Sequence, residues 1–107
     1  MRIELLYFDG CPGYEDLLPR VRSLIAEHGL RVEVELCRIE TAEEAARERF
    51  LGSPSVRIDG VDVDPDAAGR EDFGFECRLY RSEGAVSRIP PDAWIEAALR
   101  RADPGGS

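Results

Sequence analysis

A cysteine within a turn sequence is the residue of this chain whose type and surroundings best suit chemistry. Cys11 follows Asp9-Gly10 and precedes Pro12-Gly13, at the point where a strand-like pattern gives way to a helical one. A sulfur at the N-terminus of a helix faces unpaired backbone N–H groups and the positive end of the helix dipole, which favours the nucleophilic thiolate. An inert cysteine would be expected on an apolar face instead. We therefore predict that Cys11 is a reactive thiol.

Two further cysteines, Cys37 and Cys77, lie far from Cys11 in the sequence. Three widely spaced cysteines predict neither a disulfide framework nor a structural zinc site, so we expect free thiols and no bound metal or cofactor. Cys77 has two interpretations, a resolving thiol for Cys11 or a buried structural residue, because no spacing argument fixes the distance between the two sulfurs. Cys37 ends a predicted edge strand and is interpreted as structural.

The sequence offers few partners for general acid–base chemistry. His28 is the single histidine and lies at the predicted end of a helix, where capping explains it, so a Cys–His nucleophilic pair has no support. Asp9 can accept a proton beside Cys11 or cap the helix that follows, and capping is the favoured interpretation.

The elements that must position these residues follow the order β-α-β-α-β-β-α. The first half predicts a right-handed βαβ unit with parallel strands, and the second half predicts a hairpin and a closing helix, so the fold class is α/β with a central mixed sheet flanked by helices. The predicted elements are a strand over 2–8 buried on both faces, a helix ending at Gly29, a strand over 31–36, a helix opened by a capping box at Thr41–Glu44, a hairpin from Ser53-Pro54 that turns at Asp59-Gly60, and a helix starting at residues 90–92.

One domain accounts for nearly the whole chain. We expect it to span residues 1–102, followed by a disordered tail over 103–107. Residues 64–75 are polar and aperiodic, which predicts a loop that acts either as a lid over the site or as a solvated connection. Residues 77–80 suggest one more short strand.

The composition excludes some classes of partner. The 107 residues include 14 basic and 22 acidic side chains, a formal charge of −8, which argues against nucleic acid or an anionic membrane surface. The longest apolar run, residues 5–8, is far too short to span a membrane, and the N-terminus lacks a signal-peptide pattern. These features predict a cytoplasmic protein, and they leave its oligomeric state open.

The order and spacing of these elements and motifs resemble the thioredoxin-like fold. Cys11-Pro12-Gly13-Tyr14 stands where such proteins carry C-x-x-C, and Pro19 is similar to the proline that kinks their first helix. Gly52-Ser53-Pro54-Ser55-Val56 resembles the segment whose cis proline faces the active-site cysteine. More narrowly, residues 7–12 (YFDGCP) resemble a family of small bacterial thioredoxin-like proteins, the DF family, some of whose members carry selenocysteine at the position of Cys11.

The sequence departs from the family pattern at one position that matters. Tyr14 replaces the second cysteine of C-x-x-C, so dithiol exchange within that motif is not available. If residues 77–80 form a strand beside the hairpin, Cys77 is a candidate second thiol. The resemblance still implies that Cys11 is catalytic. It also implies a cis peptide bond before Pro54, and a substrate-binding surface in which the backbone beside that proline pairs with substrate. The residues of that surface are Pro12, Gly13, Tyr14, Ser53 and Pro54.

The function implied is a thiol-dependent oxidoreductase of the monothiol type. Its Cys11 would exchange with a disulfide or be oxidised by a peroxide, and a second thiol, either Cys77 or a low-molecular-weight cellular thiol, would then release it. The expected partner is a low-molecular-weight thiol or a disulfide-containing protein. Two alternatives stay open: a protein that binds a soft metal or metalloid through its thiols, as mercury-binding proteins do, and a redox-silent adaptor that binds a protein partner.

Overall fold

The architecture is a four-stranded mixed sheet with helices packed against it, together with a separate two-stranded hairpin. The structure is a computed structural model that describes residues 1–11, 13–74 and 77–102. Within these ranges the elements are β1 (Ile3–Tyr7), α1 (Gly13–Glu27), β2 (Val34–Arg38), α2 (Ala42–Arg47), β3 (Ser55–Ile58), β4 (Val61–Asp62), β5 (Tyr80–Ser82), β6 (Ala85–Ser87) and α3 (Asp92–Ala102).

The sheet has the strand order β2-β1-β3-β4. Strand β1 pairs in parallel with β2, and α1 forms the crossover between them. Strand β3 pairs antiparallel with β1 and with β4, which returns the chain through a hairpin at Asp59-Gly60. The mixed sheet and its helices confirm the predicted α/β class.

Strand β1 is buried on both faces, as its continuous apolar run predicts. Successive side chains of a strand point to opposite faces, so Leu5 and Leu6 enter different clusters. Leu6 packs with Ile39, Ala45 and Phe50. The larger cluster includes residues of α1 and α3, and its members are Ile3, Leu5, Leu17, Val21, Leu24, Ile25, Val56, Ile58, Val63, Ile95, Ala98 and Leu99.

Of the two hydrogen bonds of the capping box predicted for α2, the structure shows the one accepted by the Thr41 side chain. The Thr41 Oγ1 accepts a hydrogen bond from the backbone N–H of Glu44 at 3.0 Å, which satisfies one of the unpaired donors of the helix N-terminus. No helix of the described residues is both long and apolar enough to cross a membrane.

The sequence prediction was wrong about the segment between residues 77 and 87. In place of a strand over 77–80, Cys77 makes an isolated parallel bridge with Ser53, and β5 begins only at Tyr80. The predicted order also omits β6 and the turn at Glu83-Gly84, where both residues have positive φ values (50° and 80°). Such turns are usually marked by Asn or Asp before Gly, and the glutamate hides the signal. The predicted tail over 103–107 lies outside the described residues.

Candidate active site

Cys11 lies in the turn between β1 and α1, two residues before the helix begins. Its backbone N–H donates to the Phe8 carbonyl at 3.4 Å, and Gly10 takes a φ of 90°, which an L side chain would adopt only at a cost. The residue is 5% exposed, so its sulfur is largely shielded from solvent. The turn therefore presents the thiol at the start of the helix and leaves little of the residue exposed.

The nearest sulfur belongs to a residue 66 positions later in the chain. The Cys77 thiol lies 3.8 Å from the Cys11 sulfur, within hydrogen-bonding distance for sulfur. A disulfide bond is about 2 Å long, so a further approach of roughly 2 Å would join the two residues. Cys77 is exposed, and its interpretation as a buried structural residue is therefore wrong.

The Cys77 thiol is the hydrogen-bond donor in the contact between the two sulfurs. Partial loss of hydration, followed by the hydrogen bond to Cys11 and the charge of that neighbour, raises the pKa of the Cys77 thiol, whereas the Arg88 guanidinium opposes this shift. The protonated form of Cys77 is therefore favoured, and its thiol donates a hydrogen bond to the Cys11 sulfur. The Cys11 thiol in its protonated form donates to the Ser53 carbonyl at 3.4 Å.

Ser53 connects the three chain segments of the site. Its Oγ accepts from the backbone N–H of Phe8 at 3.3 Å, and its carbonyl accepts both from Cys11 and from the backbone N–H of Arg78 at 2.9 Å. The side chain is fully buried. The peptide bond between Ser53 and Pro54 is cis, as the resemblance implies.

Gly13 is required by its close approach to Pro54. A Cβ built on Gly13 would lie 3.0 Å from the Pro54 Cδ and 3.3 Å from the Arg88 carbonyl oxygen. Both neighbours are backbone or a closed ring, which cannot turn aside as a flexible side chain would. The first residue of α1 is thus held directly against the proline.

Substitution of this glycine should destabilise the fold. Gly-to-Ala changes within helices usually stabilise, but at this position the added methyl group overpacks a closed contact, and we expect Gly13→Ala to lower the free energy of unfolding by about 1–3 kcal/mol. Urea denaturation measures the change. Ser23→Ala, at an exposed position of the same helix, is the control and should shift stability by less than about 0.5 kcal/mol. A Gly13→Ala protein more stable than the parent would contradict the close contact.

Tyr14, which stands at the position of the second cysteine in C-x-x-C, stacks on Tyr7. The two rings have centroids 4.0 Å apart and planes inclined by 18°, and both are half-buried. The contact joins the first turn of α1 to the end of β1. Pro12, the remaining residue of the predicted substrate-binding surface, lies outside the described residues.

The other polar residues considered from the sequence pair elsewhere. Asp9 forms an ion pair with Arg38 at 3.2 Å and is exposed. His28 lies just after α1 and approaches Glu96 of α3 at 3.8 Å. The Cys37 thiol donates to Glu4 at 3.7 Å, and burial followed by the charge of that carboxylate raises its pKa. Their described contacts place none of the three beside the sulfur pair.

Sequence reasoning missed a buried arginine that anchors the second thiol. The Arg78 side chain is 1% exposed and forms a bidentate pair with Asp62, with N···O distances of 2.7 and 3.1 Å. It also approaches Asp64 at 3.3 Å and donates to the Ser55 Oγ at 2.9 Å. Burial by itself lowers the pKa of the guanidinium, but the hydrogen bond to Asp62 and the neighbouring charges outweigh it and raise the pKa. Arg78 is therefore a charged residue in the interior.

Residues 77–80, which we call the strap, are fixed at a second point by Tyr80. The Tyr80 ring is 1% exposed, its hydroxyl donates to the Pro54 carbonyl, and the Arg78 guanidinium lies over the ring at 4.5 Å from the centroid. Among the described residues, the Arg78 Nε is the buried side-chain nitrogen or oxygen atom that lacks a hydrogen-bond partner. The signal in the sequence for this cluster is the Asp62/Asp64 alternation, which places two carboxylates on one face of an extended segment.

The loop predicted as a possible lid borders a different cavity. Its described part lines an open pocket of about 330 Å³ together with residues of the β3–β4 region and the segment after α2. Arg49 lies over the Phe73 ring in this pocket, at 5.0 Å from the centroid. Neither Cys11 nor Cys77 is among the described residues that line it. The described part of the loop therefore gives no support to a lid over the sulfur pair.

The buried Cys11 and the exposed Cys77, whose sulfurs are neighbours, form an arrangement suited to thiol–disulfide exchange. Within the part of the chain that the structure describes, no group of three or more His, Cys, Asp or Glu side chains is placed to hold a metal ion. Comparison of the chain with family models, with curated proteins and with solved structures finds no match in any of the three.

Proposed function

We propose that this protein is a thiol–disulfide oxidoreductase with a thioredoxin-like fold, in which Cys11 is the nucleophile and Cys77 is the resolving thiol. The observation that carries the proposal is the 3.8 Å separation of two sulfurs that lie 66 positions apart in the chain. The second thiol that the C-x-x-C position lacks, because Tyr14 stands there, is supplied by the strap.

The reaction balances as two successive exchanges. The Cys11 thiolate attacks one sulfur of a substrate disulfide, so a Cys11–substrate bond forms, the substrate S–S bond breaks, and half of the substrate leaves as a thiolate. Cys77 then transfers its proton to a leaving thiolate and attacks the Cys11 sulfur, which releases the second half. The substrate disulfide is reduced to one thiol and one thiolate, which takes up from water the proton that Cys11 released on ionising, and the protein dithiol is oxidised to a Cys11–Cys77 disulfide. Another turnover needs a thiol reductant that reduces this bond.

The protonation of the pair supports this division of roles. Because the pKa of Cys77 is raised, Cys77 stays a thiol at a pH where an ordinary cysteine begins to ionise. In the contact between the two sulfurs, the Cys77 thiol is the donor and the Cys11 sulfur is the acceptor. Cys11 is also placed before the N-terminus of a 15-residue helix, where the helix dipole favours negative charge.

Three serine variants test the proposal, one for each cysteine. The reduced proteins are mixed with excess hydroxyethyl disulfide, and the products are identified by intact-mass and peptide-mass measurement. We expect wild type to form the Cys11–Cys77 disulfide, Cys77→Ser to stop at a mixed disulfide on Cys11, and Cys11→Ser to react no faster than an isolated thiol. Cys37→Ser is the matched control and should behave as wild type, because Cys37 pairs with Glu4 away from the site.

Several outcomes would overturn this assignment. A mixed disulfide on Cys77 of the Cys11→Ser protein, formed at the wild-type rate, would reverse the two roles. Tight binding of one Hg²⁺ or arsenite per molecule without any disulfide turnover would favour the soft-metal protein, since two adjacent thiolates also suit a soft cation. A protein that shows neither reaction would be a redox-silent adaptor.

A further inference from the structure

We infer that the substrate is a low-molecular-weight disulfide and not a protein disulfide, because the chain's own strap occupies the backbone edge where an extended peptide would pair. The inference rests on the proposed function and narrows its substrate class. Of the two partners that the sequence leaves open, it excludes the disulfide-containing protein as a substrate.

The edge in question is the backbone of Ser53, beside the cis peptide bond. A peptide can add as a strand only where backbone N–H and C=O groups are unpaired. The Ser53 carbonyl accepts from the Arg78 N–H at 2.9 Å, so the acceptor that an added strand would use is already paired. Cys77 itself pairs with Ser53 in a parallel bridge. The position that would receive a peptide strand is therefore filled.

The strap is anchored firmly enough to keep this edge closed. To leave Ser53, it would have to withdraw the buried Arg78 guanidinium from Asp62 and Asp64, whose side chains are only 13% and 10% exposed. Separating a buried ion pair leaves charges uncompensated in the interior, which is strongly unfavourable. It would also remove the Tyr80 hydroxyl from the Pro54 carbonyl. We therefore expect the closed edge to persist during the reaction.

The exposure of the attacking sulfur favours the same class of substrate. Cys11 is 5% exposed, and Cys77 lies beside it at 3.8 Å. Attack on a disulfide requires the incoming sulfur to approach the thiolate directly. A slim disulfide with small substituents meets less hindrance in approaching a sulfur so nearly buried than a disulfide flanked by folded polypeptide, which the strap obstructs.

The test compares two probes on the reduced wild-type protein. Rate constants for the loss of the Cys11 and Cys77 thiols are measured with hydroxyethyl disulfide and with insulin, and the same two rates are measured for dithiothreitol to correct for the intrinsic reactivity of each probe. We expect the ratio of the insulin rate to the hydroxyethyl disulfide rate to be at least about 100-fold lower for the protein than for dithiothreitol, since insulin would require the strap to detach.

The possible results separate this inference from the proposed function. If insulin oxidises the pair as readily as the dithiothreitol ratio predicts, the substrate inference is wrong and the oxidoreductase stands. If neither probe produces the Cys11–Cys77 disulfide, the proposed function itself fails. Amide hydrogen exchange at Arg78 gives an independent measurement of the closed edge. We expect slow exchange there, and exchange as fast as in an unstructured peptide would contradict the premise.

Discussion

Oxidation of the reduced protein is expected to raise its free energy of unfolding by about 4 kcal/mol. A Cys11–Cys77 bond would join residues 66 positions apart, and the loss of chain entropy in the unfolded state grows with the length of the closed loop. The native state would pay little for this gain, because the two sulfurs already lie at 3.8 Å. An increase of this size is a large fraction of the total free energy of unfolding of a typical domain, which is about 5–15 kcal/mol.

Denaturation in urea, carried out in separate reducing and oxidising buffers, measures the difference. The oxidised protein should unfold at a higher denaturant concentration than the reduced protein. Cys77→Ser should abolish the dependence on redox state, and Cys37→Ser should preserve it, which excludes a bond that involves the third thiol. Equal stability of the two wild-type forms, with the disulfide verified by mass, would show that the sulfurs meet only in a strained arrangement.

Removal of the buried guanidinium is expected to have an effect of similar size. Arg78→Met keeps most of the side-chain volume but leaves the Asp62 and Asp64 carboxylates largely buried without their cation. We expect a loss of about 3–5 kcal/mol in the free energy of unfolding, the usual cost of removing one partner of a buried ion pair. Adding Asp62→Asn and Asp64→Asn should recover part of the loss, because amides are less costly to bury unpaired than carboxylates.

Urea denaturation with one further variant completes this experiment. Arg81→Met removes an exposed arginine three residues later in the chain, and its effect should stay within about 0.5 kcal/mol. A similarly small effect of Arg78→Met would show that the guanidinium contributes little to holding the strap. The strap would then lack the ion pair that we expect to hold it against the backbone of Ser53.

The parts of the fold that could be predicted from the sequence are those governed by local patterns. The continuous apolar run of β1 predicts a strand buried on both faces, and the Thr41 capping box predicts the start of α2, because both signals lie within a few residues. The turn around Cys11 and the cis bond at Pro54 were also predicted, the latter from resemblance alone. The position of Cys11 in the turn between β1 and α1 can therefore be predicted from the sequence.

The second half of the site depends on long-range contacts that no local pattern encodes. Cys77 follows a polar loop without periodicity, so the sequence offers it as a candidate second thiol but does not fix the distance between its sulfur and that of Cys11. Arg78 is interior only because Asp62 and Asp64 come from another segment to neutralise it, and an arginine alone predicts exposure. The hairpin of β5 and β6 was missed because its strands have only three residues each.

The closure of the chain at Ser53 and Arg78 also bears on how this protein tolerates changes in length. The backbone hydrogen bond between these residues joins the two ends of the segment that contains β3, β4 and residues 65–73. The ion pairs of Arg78 with Asp62 and Asp64 also fix the point from which residues 65–73 begin. Each doubling of a loop costs only about 0.6 kcal/mol in closure entropy. Insertions between residues 66 and 70 should therefore leave the sulfur spacing intact, which makes this segment the natural place for a new binding surface to evolve.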